Sequence, residues 1–179
     1  MNDWKQKFEF SRGENEAQDL EIIKSSIPGC VNVEKSSADM DKTGIDYVAT
    51  LRNGALIYID AKRREAGASR YWKHNEPEFA LEIWSVMRSD RNDGKAGWTL
   101  SESSNVDMIL YAFANQDWDK CYLLPFQFLR MAFRKNFHEW TRKYHKKKQA
   151  NNSWTSEAVF VPASVVITAI SELMEIQQK

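Results

Sequence analysis

The chain has 179 residues, 42% of them hydrophobic, with 7 Trp, 6 Tyr and 9 Phe, which is enough apolar bulk for the packed core of one domain over 1–179 and excludes general disorder. The formal net charge is zero, so a uniformly basic or acidic protein is excluded, although a locally charged surface is not. No apolar run approaches the roughly 18 residues of a membrane span, no leader pattern is apparent, and Cys30 and Cys121 have no Cys or His at ligand spacing. Neither a disulfide framework nor a zinc ribbon is signalled, and a cytoplasmic location is expected.

Ser11 followed three residues later by Glu14 forms a capping box, which predicts a helix from about Arg12 to about Ser26, ended by Pro28 and Gly29. Its apolar stripe is Leu20, Ile23 and Ile27. Glu16 stands four residues before Leu20 and seven before Ile23, so its carboxylate falls on the core-facing stripe, an unusual place for an acid.

Ile45–Leu51 and Ala55–Ala61 are rich in β-branched and aromatic residues, and Arg52, Asn53 and Gly54 between them are hairpin chemistry. Register decides what this hairpin presents. A two-residue turn sets Asp46 opposite Ala61, on the other face from Asp60. A three-residue turn with Gly54 in the left-handed conformation sets Asp46 opposite Asp60, with Lys62 on their face, and Gly favours this second arrangement.

Phe79–Met87 and Val106–Ala114 read as further strands, Ser89–Gly97 as a loop, and Cys121–Leu124 as a short strand. Pro125 suits a helix N1 position, and Phe126, Leu129, Phe133, Phe137, Trp140 and Tyr144 follow at helical spacing. A final strand at Ala158–Val161 and a final helix from Ser164 to about Gln177 complete an α/β chain, read as one mixed β-sheet flanked by helices.

Charge is unevenly shared. Residues 1–60 hold eleven acids and seven bases, whereas Arg130, Arg134, Lys135, Arg142, Lys143, Lys146, Lys147 and Lys148 face only Glu139 across their segment. A basic surface of this kind suits a polyanion, and it also suits a solvated helix end. After the hairpin, Arg63, Arg64, Arg70, Trp72, Lys73 and His74 mix bases with aromatics, as phosphate contact and base stacking require.

Two carboxylates directly opposed on a hairpin repel one another unless a cation lies between them. A hard divalent ion such as Mg²⁺ or Mn²⁺ could use Asp46, Asp60 and the backbone carbonyl of Ala61, with Lys62 beside it and Glu16 completing a second site. This set, carried by Gly44-Ile45-Asp46-Tyr47-Val48 and Tyr58-Ile59-Asp60-Ala61-Lys62, resembles the PD-(D/E)XK nuclease superfamily of restriction endonucleases and Holliday-junction resolvases. In that family an N-terminal helix offers a Glu, one strand an Asp and the next strand an acid-x-Lys. Ile45 stands where the family name has Pro, and the acid before Lys is Asp.

The resemblance covers roughly the first 65 residues, and beyond them the aromatic-rich style looks like phage or prophage proteins. It implies a restriction endonuclease-like fold and metal-dependent cleavage of nucleic acid, DNA ahead of RNA. Catalytic and metal roles fall on Asp46, Asp60, Lys62, Ala61 and Glu16. Phosphate contacts fall on Arg63, Arg64, Arg70, Lys73, Arg130, Arg134, Arg142, Lys143, Lys146, Lys147 and Lys148. No membrane partner is expected, and a homodimer stays open. The alternative is a catalytically silent nuclease-like module that binds nucleic acid or a host protein.

Overall fold

A computed structural model describes residues 16–64, 76–89, 93–102, 104–113, 120–151 and 153–177. The expected capping box at Ser11 and Glu14 and the bases Arg70 and Lys73 lie outside the described residues. Helix α1 covers 16–26 and leads into β1 (Cys30–Lys35), the short α2 (Ala38–Asp41), β2 (Tyr47–Leu51) and β3 (Leu56–Arg64). Then come β4 (Glu78–Val86), β5 (Lys95–Ala96), β6 (Met108–Phe113) and β7 (Lys120–Pro125). Helix α3 (Phe126–Lys143), β8 (Lys146–Ala150), β9 (Thr155–Pro162) and α4 (Ala163–Gln177) complete the described elements.

The β2–β3 turn is the three-residue form. Leu51 N–H donates to the Ala55 carbonyl and Gly54 N–H to the Leu51 carbonyl, both at 2.9 Å, with Gly54 at φ +81°. Tyr47 therefore pairs with Ile59 and Val48 with Tyr58, and one step further Asp46 N–H donates to the Ile59 carbonyl at 2.9 Å.

The fold is mixed α/β, with two sheets in place of the one expected. A five-stranded sheet runs β1-β2-β3-β6-β7, and a separate four-stranded antiparallel sheet runs β5-β4-β9-β8. Within the first sheet only β3 and β6 are parallel. The segment at Phe79–Met87 does form a strand, but it pairs with β9, about eighty positions away, through Phe79–Val161 and Leu81–Val159. Two elements carried no clear sequence signal: β1, whose alternate residues are mostly exposed, and α2, capped by Ser37.

Alternation along β2 and β3 separates two apolar layers. On one side Ile23 of α1 and Ile27, just past its end, meet Tyr47, Ala49, Ile59 and Leu110. On the other, Val48, Ile109 and Tyr111 meet Phe79, Leu81, Val159 and Val161 of the second sheet, with Leu129 and Phe133 of α3 and Val166 and Ile170 of α4 behind them. Phe79 takes edge-on contacts from Tyr111, Phe113 and Tyr122 at 4.6, 5.8 and 5.4 Å, which fastens the second sheet over the first.

Pro125 is the N-cap of α3, one position before the expected N1, because its ψ of 116° is still extended. The helix stops at Lys143, where Tyr144 turns extended and buries its ring in the core. Lys146, Lys147 and Lys148 consequently do not lie on the end of a helix. They form β8, an exposed edge strand. No helix among the described residues is long and apolar enough to cross a membrane.

Candidate functional site

Residues of β3 alternate between two environments. Ile57, Ile59, Ala61 and Arg63 face α1, and Tyr58, Asp60, Lys62 and Arg64 face the second sheet. Asp60 is 6% exposed, and Lys62 Nζ donates to its Oδ1 at 2.7 Å. Asp46 is fixed from the neighbouring strand, its Oδ2 accepting from Ala61 N–H at 2.7 Å. The carboxyl group of Asp60 is pushed up from 3.8 to about 7, first by burial. The Lys62 ammonium opposes that rise, while Asp46, as a nearby charge and hydrogen-bond partner, adds to it. The site is thus a carboxyl pair short of positive charge, even with one lysine in contact.

Asp60 and Lys62 open into a cleft of about 420 Å³, whose walls include Lys95, Trp98, Ser101 and Ser104. Trp98 stacks on Phe126 at 6.0 Å, with Lys62 Nζ 5.8 Å from its ring centroid. Gly97 positions this wall. Its N–H donates to the Ile83 carbonyl at 2.9 Å, and a Cβ there would meet the Glu82 carbonyl oxygen at 2.1 Å, so no other residue could approach β4 as closely. Glu82 itself accepts from Ser85 Oγ at 2.6 Å and from Trp98 N–H at 3.2 Å, which makes it a brace for the Trp98 turn.

A second cleft of about 210 Å³ shares Lys62 and Trp98 with the first and is also lined by Arg64, Tyr111, Lys147 and Phe160. Lys147 reaches it from β8, so the register of the second sheet brings a distant lysine beside the end of β3.

Several expected site residues lie elsewhere. Glu16 does not join Asp46 and Asp60. It pairs with Lys35 of β1 at 2.6 Å, on the α1 side, whereas the strand pleat aims Asp60 away from α1. The buried acid of α1 is Asp19, 4% exposed, which accepts from Tyr47 Oη at 3.0 Å and pairs with Arg63. Burial, and then the Asp19 charge, raise the Tyr47 phenol above its ordinary value. The Arg63 guanidinium is therefore engaged by Asp19 on the α1 side of the sheet.

Arg130 is 8% exposed, with its guanidinium carbon 5.5 Å from the Phe126 ring centroid. It packs inside α3 and does not form part of a surface flank. Arg134 pairs with Glu102 at 3.2 Å. Arg142 and Lys143 stay exposed at the end of α3, beside Lys135 and His138. Ala61 contributes its N–H to Asp46.

The sequence reading missed Asp19, Trp98 and Phe160. Asp19 had a signal, since it lies four residues before Ile23 on the buried stripe; the other two come together only through the pairing of β4 with β9. No protein-family model, no curated protein and no solved structure matches the chain.

Proposed function

We propose that the chain is a metal-dependent phosphodiesterase acting on nucleic acid, DNA ahead of RNA, with a restriction endonuclease-like fold. The observation that carries this reading is the pair Asp46 and Asp60, hydrogen-bonded side chain to side chain at the open end of a hairpin, with Asp60 buried, its carboxyl group raised to about 7, and Lys62 in contact with it. A structural ion pair needs one acid for one base. A second, half-buried acid against the buried one costs stability unless a further cation is recruited.

The residues fit Mg²⁺ or Mn²⁺. Each carboxylate keeps one oxygen beyond the bonds from Ala61 and Lys62. Among the described residues no group of three or more His, Cys, Asp or Glu side chains forms, so an ion here would need its remaining ligands from water and phosphate. When bound, such an ion polarises a phosphoryl oxygen and lowers the pKa of bound water. Asp60 must give up its proton for the ion to bind, and Ala61 N–H keeps the Asp46 carboxylate aimed. Lys62, released from its contact with Asp60, can turn its ammonium to the charge that builds on the phosphate.

The test is cleavage of labelled linear, nicked, branched and single-stranded DNA and RNA with Mg²⁺ or Mn²⁺, by the natural chain and by Asp60→Asn. Cleavage that Asp60→Asn abolishes supports the reading. Tight nucleic-acid binding with no cleavage and no Mn²⁺ uptake would replace it with a silent binding module.

A further inference from the structure

We propose that the smaller cleft is a subsite for one nucleotide of a single-stranded nucleic acid, with its phosphate on Arg64 and Lys147 and its base against Trp98; this rests on the nuclease reading above. The cleft lies between the end of β3 and the face of the second sheet that carries Ala80, Glu82, Ala158 and Phe160, opposite to the one that buries Phe79 and Leu81, and holds about 210 Å³. At ~30 Å³ per water that is room for about seven waters, a space that one nucleotide fills and a base pair overfills.

Its chemistry is one-sided. Lys62, Arg64 and Lys147 converge on it, while its carboxylate, Glu82, is engaged by Ser85 and the Trp98 N–H. Arg64 Nε is buried and has no hydrogen-bond partner among the described residues. Its guanidinium carbon sits 5.0 Å from the Phe160 ring centroid, and the nearby Tyr111 hydroxyl already accepts from Ala80 N–H at 2.8 Å. A buried donor of this kind is costly to leave unmade, and a phosphate oxygen is the acceptor that an arginine fork meets best. Phe160 is itself stacked on His145 at 4.5 Å and serves to hold Arg64 in place, while the half-buried Trp98 offers a base an apolar surface whatever its identity, so recognition would be of a strand, without preference for sequence.

Lys62 and Trp98 belong to both clefts. A strand with its scissile phosphate at Asp60 therefore has its next nucleotide in the smaller cleft. A duplex would have to bring a partner base into the same space, where the second sheet stands.

The experiment uses the full chain in EDTA and measures fluorescence anisotropy of a short labelled oligothymidylate and of a blunt duplex of equal length, each across a salt series. The natural chain should bind the single strand more tightly than the duplex. Arg64→Gln and Lys147→Gln should each weaken single-strand binding roughly tenfold at low salt and lower the slope of log affinity against log salt by about 0.7, one single-strand phosphate contact each. Lys147 is exposed on β8, so its variant keeps the test decisive if Arg64→Gln fails to fold. Equal or tighter duplex binding, or variant slopes that match the natural chain, would overturn the subsite.

Hydrolysis of bis(p-nitrophenyl) phosphate with Mn²⁺, by the natural chain and by Asp60→Asn, separates the two readings, because that small diester needs only the carboxyl pair. Hydrolysis without Arg64-dependent strand binding removes the subsite alone. Arg64-dependent strand binding without hydrolysis leaves the subsite and removes the nuclease.

Discussion

Asp60→Asn should make the metal-free protein more stable at alkaline pH. The folded carboxyl group titrates near 7, against 3.8 for an ordinary one. Between those values the folded protein holds one more proton than the unfolded chain, so stability falls as pH rises across the window. At ~1.4 kcal/mol per pH unit over about three units, the ionised Asp60 costs about 4 kcal/mol above pH 7 relative to its neutral form. Asn keeps the shape and a hydrogen bond to Asp46 while carrying no charge, and Lys62, a third exposed in its side chain, retains solvation when its partner is lost.

At roughly 2 to 4 °C per kcal/mol for a chain of this size, the melting midpoint of Asp60→Asn should exceed that of the natural chain by roughly 8 to 16 °C at pH 8.5 in EDTA. The gap should close as pH approaches 4. Calorimetry in EDTA across pH measures it, and Mn²⁺ at about a hundred times its Kd should restore about 2.7 kcal/mol to the natural chain only. A variant that melts at or below the natural chain at pH 8.5 would refute the argument, because Asp60 would then be held by interactions worth more than its burial costs.

Mn²⁺ affinity should rise about tenfold per pH unit up to about 7 and then level, as Asp60 loses its proton; isothermal titration in buffers of different ionisation heat should find close to one proton released per ion well below that pH. Gly97→Ala forces a Cβ against the Glu82 backbone and should cost about 3 kcal/mol, read as a lower urea midpoint, whereas Gly54→Ala, open in space but at positive φ, should cost about 1 to 2 kcal/mol. Asp19→Ala leaves the Arg63 guanidinium unpaired and should cost about 3 kcal/mol, against about 1 kcal/mol for Tyr47→Phe, which removes one hydrogen bond; equal losses in chemical denaturation would contradict the assignment of Asp19 as the shared anchor.

The hairpin was legible because its register depends on local chemistry. Gly54 can take a positive φ at little cost, and that single choice sets the register in which Tyr47 pairs with Ile59, next to Asp46 and Asp60. The stripe of α1 was legible too, but spacing alone could not rank Glu16 against Asp19. Both lie on it, and what separates them is Lys35 on β1 and Arg63 on β3, partners supplied by tertiary pairing. The second sheet was illegible for the same reason, since β4 finds β9 across about eighty positions. Arg130 was misread because a basic residue on an amphipathic helix counts as surface by composition, although it lies four positions after Phe126 and one after Leu129, at the margin of the buried stripe. The run at Lys146, Lys147 and Lys148 has no apolar period at all, so only β9 makes it a strand.

The outer edge of β8 has an effect of its own. A sheet that ends on an exposed strand offers its outer edge to any other extended chain, and three successive lysines on that strand make a second copy of the same edge an unfavourable neighbour through charge repulsion and the cost of stripping water from the ammonium groups. Replacing all three with neutral residues would take away that repulsion along with any attraction to phosphate. Concentration-dependent self-association, with strands joined edge to edge, would then be the first change seen in the sample.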